Sequence, residues 1–146
     1  MKITIKLFLL YFLTSCSSGN SEFKLCSGIK RPYYFPTLEY KGDFYKIKNH
    51  FFNNYTTIQL PNNNGIVKIR FHVNCKGETG NFFTDTYSLD YKKTTINKDI
   101  TEQLLNLTKS LKDWIPARNE EGENINSHKF FAFKIIKGDL IDILPK

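Results

Sequence analysis

The sequence is poor in the residues that most quickly betray a protein's chemistry. It holds three cysteines, three histidines, one tryptophan and one methionine. His50, His72 and His128 stand at no metal-ligand spacing with one another or with the cysteines, so no metal and no other cofactor is expected. There is no G-x-S-x-G, no glycine-rich phosphate loop and no H-E-x-x-H. Asp85 is a lone carboxylate with no acid–base partner in the pattern, and enzyme activity is not expected. Lys and Arg total 21 against 14 Asp and Glu, yet no run of them exceeds two residues. Scattered positive charge describes a solvated surface that tolerates anionic lipid head groups, and nucleic acid is not expected as a partner. A membrane-crossing run is also missing. Counted from Ile3 to Leu13, the apolar opening has about half of the roughly 20 residues a spanning helix needs, and Lys6 interrupts it.

What the opening does have is the layout of an export signal. Lys2 and Lys6 supply positive charge, Leu7 to Leu13 are apolar, and small polar residues follow. Leu13, Thr14, Ser15 and Cys16 resemble the bacterial lipobox, which implies cleavage before Cys16 and a lipid on its sulfur. Two or more acyl chains give stable attachment, at about 0.8 kcal/mol per buried methylene. Ser17 rather than Asp follows the cysteine, which resembles the rule for delivery to the outer membrane, facing the periplasm. The chain then divides into a signal peptide (1–15), a short leader (16–22) and one domain (23–146). The leader reaches at most about 20 Å when extended, so the domain sits near its membrane. Loss of Lys2 and Lys6 lowers the formal charge from +7 to +5.

Export also bears on the two remaining cysteines. In an oxidising compartment a Cys26–Cys75 disulfide is the natural pairing, with two separate buried thiols as the alternative.

Hydrophobic periodicity lays out the domain. Phe44, Ile47 and Phe51 recur at helical spacing after Asp43, predicting a helix over about 43–53 with Asp43 as its cap. Val67, Ile69, Phe71, Val73 and Cys75 alternate with polar residues, as in a strand buried on one face. Gly77 and Gly80 mark a turn, and Phe83, Tyr87, Leu89 and Tyr91 share one side of the returning strand. Ile100, Leu104, Leu107, Leu111 and Trp114 form the stripe of a second helix, opened by an Asp99–Glu102 capping box and ended by Pro116. A strand over about 128–136 and a tight turn at Lys137–Gly138 lead into "LIDIL". The expected class is α+β, an antiparallel three- or four-stranded sheet with two helices on one face.

This order resembles the C-terminal domain of the TonB family. Gly65, Val67, Ile69, Phe71, Val73 and Gly77 fit that family's first sheet strand, with Ile69 in place of a Val. Trp114, Pro116 and Ala117 match its W-x-P-A, followed by Gly122 and by Phe131 and Phe133 in the next strand. The match is best over 65–144 and weak over 35–64. These residues fill cores and turn chains, so they point to a fold. The short leader and lipid tail replace the membrane helix and long linker of energy-transducing members, and energy transduction is not expected. The resemblance implies protein binding, in which the strand after the second helix pairs with an extended segment of an outer-membrane or periplasmic partner. Phe131, Phe133 and Ile135 would then share a face of the binding edge, provided "LIDIL" leaves that edge open. The alternative is a structural envelope lipoprotein that contacts the cell wall.

Mass spectrometry of the purified protein is expected to show a lipid-modified chain beginning at Cys16; an unmodified Cys16 or another cleavage point would remove the lipoprotein reading.

Overall fold

A computed structural model describes residues 22–27, 30–31 and 38–145. The expected signal peptide, Cys16 and most of the expected leader lie outside the described residues. Among those described, the chain forms β1 (Lys30–Arg31), β2 (Glu39–Tyr40), α1 (Asp43–Asn54), β3 (Gly65–Val73), β4 (Thr79–Tyr87), α2 (Lys98–Ser110), β5 (Trp114–Ile115), β6 (Ala117–Arg118), β7 (Asn124–Ile136) and β8 (Asp139–Leu144). No helix among them is long and apolar enough to cross a membrane.

The class is α+β, with more strands than expected. The sheet runs β1-β7-β3-β4, and both β6 and β8 also pair with β7. All of these pairings are antiparallel except the short β1–β7 contact. β7, thirteen residues long, pairs with β1, β3, β6 and β8. One of its edges carries β3, from Gly65 opposite Ile135 to Val73 opposite Ser127. Period-two alternation then sorts the side chains. Val67, Ile69, Phe71 and Val73 of β3, with Phe131, Phe133 and Ile135 of β7, are buried beneath the helices. Phe51 of α1 sits on Phe131 and Phe133, with ring centroids at 5.7 and 4.7 Å. Ile100 and Leu104 of α2 close the other half of the core.

The helix ends correct two expectations. Asp43 does not cap α1; Gly42, in left-handed backbone at φ +91°, holds the N-cap position, and no side chain caps the helix. Nor do Asp99 and Glu102 form a box: the Asn97 side chain accepts from the Asp99 N–H at 2.9 Å. The helix also stops at Ser110, short of the apolar stripe's end. Pro116 biases Ile115 to extended backbone. Trp114 is drawn into an antiparallel pair opposite Tyr40. There its ring meets Tyr40 at 5.0 Å and Phe71 at 5.5 Å, so aromatic packing overrides the helical period.

The N-terminal segment is fastened to the same end of the sheet. Cys26 and Cys75 form a disulfide with Cα atoms 6.0 Å apart, closing a separation of 49 residues. Asn126, almost fully buried, accepts from the Cys26 N–H at 3.0 Å and donates to the Cys26 carbonyl at 2.7 Å. Asn74, equally buried, donates to the Lys24 carbonyl at 3.0 Å. Asn126 thus bonds the incoming chain through both ends of its amide, and Asn74 through one donor, its oxygen accepting from the Lys76 and Glu78 N–H groups. Phe23 lies against Gly80, where any Cβ would overlap its ring.

Reduction of the disulfide is expected to destabilise the domain by about 4 kcal/mol in the chain-entropy model. Scanning calorimetry should record a melting temperature lower by several degrees or more, matched by the Cys75→Ser variant without reductant.

Candidate functional site

The edge expected to receive a peptide is already taken. β8 pairs along β7 from Ala132 opposite Leu144 to Ile136 opposite Asp139. Phe131, Phe133 and Ile135 are fully buried core residues and present nothing to a partner. The strand is also firmly held. Lys137 and Gly138 turn the chain at φ +52° and +80°, a left-handed pair of the kind that tight hairpins use. The Gly138 N–H donates to the Asn63 carbonyl at 2.8 Å, and its carbonyl accepts from the Tyr55 hydroxyl at 2.8 Å. Burial, with Asp139 nearby, pushes that hydroxyl up to about 12, so it remains a donor at any physiological pH. Leu140 and Ile143 of β8 are buried in the core. Extracting two such side chains costs about 3–6 kcal/mol, enough to weaken a competing peptide by two to four orders of magnitude. The condition for edge capture is therefore not met.

The other face of the sheet has no helix over it among the described residues. Ile66, Lys68 and Arg70 of β3 project there, opposite Tyr87, Asp85 and Phe83 of β4. Phe130 and Ala132 of β7 continue the surface on the other side of β3. A register shift after Arg70 separates the two adjacent phenylalanines of β4. Phe82 stacks on Phe71 at 5.3 Å, while Phe83 stays 53% exposed. Cations lie over the rings: Lys68 is 4.6 Å from the Phe130 centroid, Lys93 5.1 Å from Tyr87 and Arg70 5.6 Å from Phe83. Asp85 organises two of these cations, accepting from Lys93 at 2.6 Å and from Arg70 at 3.0 Å. The hydrogen bond from Lys93, helped by the charges of both cations, holds its carboxyl below the usual carboxylate range.

Between these rows lies a shallow depression of about 260 Å³, lined by Ile66, Lys68, Tyr87, Tyr91, Phe130 and Ala132. Tyr91 stands at its rim, 75% exposed. Its backbone is left-handed at φ +62°, an uncommon conformation for a bulky residue, in a turn closed by Tyr91 N–H to Ser88 O at 3.0 Å and Ser88 N–H to Lys92 O at 2.8 Å. The surface can offer ring faces and cations together, to an apolar or aromatic side chain flanked by acidic groups.

The common side of Phe83 and Tyr87 was legible in the sequence. The exposure of Phe83 was not, nor was the arrival of Lys93 from beyond the strand. His72 and His128, far apart in the chain, face each other across β3 and β7 with ring centroids at 4.3 Å. His50 instead joins the helices, its Nε2 3.0 Å from both the Leu107 carbonyl and Ser110 Oγ. No group of three or more His, Cys, Asp or Glu side chains among the described residues is placed to hold a metal ion.

No protein-family model, curated protein or solved structure matches this chain.

Gly138→Ala is expected to free β8, since the added Cβ would overlap the Ile58 carbonyl oxygen at a backbone angle that disfavours alanine. Hydrogen exchange at Leu140 and Ile143 should accelerate at least tenfold relative to the amides of β3; equal protection would show that the turn does not control the edge.

Proposed function

We propose that this protein is a lipid-tethered domain of the bacterial cell envelope that binds a partner protein through the uncovered face of its sheet. The observation that carries the reading is that face itself, where the rings of Tyr87, Tyr91 and Phe130 and the Lys68 ammonium line a depression with exposed Phe83 nearby. Aromatic and Arg side chains at the centre of a docking surface commonly supply most of the binding energy. The export-like opening supports the envelope location, and a disulfide suits an oxidising compartment. The succession of helix, hairpin, helix and strand supports a plan akin to the TonB C-terminal domain. With β8 on the strand edge, the partner is assigned to the sheet face instead.

A second reading, contact with the cell-wall polymer, draws on the same surface. Ring faces paired with cations also suit acidic sugars.

Crosslinking in intact envelopes followed by purification distinguishes the two. The first reading expects a discrete crosslinked protein, lost when Phe83 and Tyr91 are both changed to Ala in a variant with unchanged melting temperature. Removal of one well-packed aromatic anchor should weaken the complex about tenfold or more. Recovery of cell-wall material alone would support the second reading, and an unchanged yield from the double variant would remove the face from both.

A further inference from the structure

A different cavity lies on the helical side of the sheet. β2, the first turn of α1 and Trp114 of β5 border a half-open cavity of about 160 Å³, with Lys129 of β7 in the wall. Two donor-bearing side chains in its lining, Trp114 and Lys129, have no hydrogen-bond acceptor among the described residues. Trp114 is 6% exposed, and its Nε1–H is buried with no hydrogen-bond partner. Lys129 shares the inward side of β7 with Phe131, Phe133 and Ile135, a position where alternation calls for an apolar residue. Its ammonium lies 5.9 Å from the Phe131 ring centroid and has no hydrogen-bond or ion-pair partner among the described residues. Burial lowers its pKa, the expected response of a cation without a counter-ion. Asp43 and Phe44, in the first turn of α1, line the same cavity, and the helix has no side-chain cap. Its first N–H groups add positive partial charge at that point.

An unpaired buried donor and an uncompensated cation both cost stability, and a methionine at position 129 would avoid the second cost. An acceptor with negative charge answers both needs at once. The cavity corresponds to the liquid volume of about five waters, room for a carboxylate on a few carbons. Glu39 and Asp43 also line it, both exposed and neither paired with Lys129. Their charge disfavours a dianion such as phosphate and tolerates a single carboxylate. We propose that this cavity binds one carboxylate, carried by a small acid or by the free end of a peptide, with Trp114 Nε1–H and Lys129 Nζ as the donors. This site is separate from the sheet face assigned to the partner.

The single tryptophan gives one indole N–H resonance, which makes the test direct. The disulfide-intact protein is titrated with sodium propionate, with acetyl-Ala-Ala and with the C-terminal amide of that dipeptide, each at an ionic strength matched by sodium chloride. A saturable shift of the indole resonance is expected with a carboxylate probe and not with chloride or the amide. A response to propionate assigns a small acid, and a response to acetyl-Ala-Ala alone assigns a peptide end. Lys129→Met should keep or raise the melting temperature and weaken the response at least tenfold. Trp114→Phe, read by the loss of carboxylate-induced thermal stabilisation, checks the second donor. No saturable shift with either carboxylate, or an undiminished response in Lys129→Met, would overturn the site.

Discussion

The antiparallel pairing of β3 with β7 is the constraint on which the rest of the molecule depends. It places Ile69 beside Phe131 and Val67 beside Phe133, which makes one continuous apolar floor from two segments distant in the chain. Phe51 and Leu104 bury themselves against that floor, and neither amphipathic helix would have a reason to stay folded without it. β7 also supplies the surface on which β8, β6 and β1 are built. A change that shifted β7 by one residue would turn its phenylalanines outward and expose the core.

The same pairing creates two faces of unlike chemistry. The inner face is aliphatic and aromatic and is covered by helices. The outer face mixes rings with cations, steadied by Asp85 between Arg70 and Lys93. An apolar depression left open on a soluble face costs solubility, and a polar rim of this kind limits that cost while keeping the rings available. β8 performs a comparable service at the strand edge, where unpaired backbone groups would otherwise invite another chain. With its backbone paired on both sides over Ala132–Ile135, β7 offers no free edge there, while the outer face stays uncovered by the helices.

The N-terminal end is anchored in a way that suits a tether. Asn74 and Asn126 hold the backbone of residues just before the sheet, and the disulfide adds a covalent link to the segment after β3. Any pull from the proposed lipid anchor would pass into the centre of the sheet and not into a fraying terminus. Trp114, Tyr40 and Phe71 pack at this end as well, so the helical layer is joined to the point of attachment.

Much of this was legible in the sequence, because strand and helix periods are set by local chain geometry. The alternation from Val67 to Val73 determined a half-buried strand, the stripe of Ile100, Leu104 and Leu107 determined a helix, and Lys137–Gly138 determined a hairpin. Cysteine count and the export-like opening singled out Cys26 and Cys75. The tertiary structure decided which face the helices cover, that β8 closes the edge of β7, and that Phe131, Phe133 and Ile135 belong to the core. It also took Trp114 from the helical stripe into a strand and put Lys129 in the lining of the same cavity. These outcomes depend on contacts between segments far apart in the chain, where burial of aromatic surface outweighs local preference, and no local period records which distant segment will provide the cover.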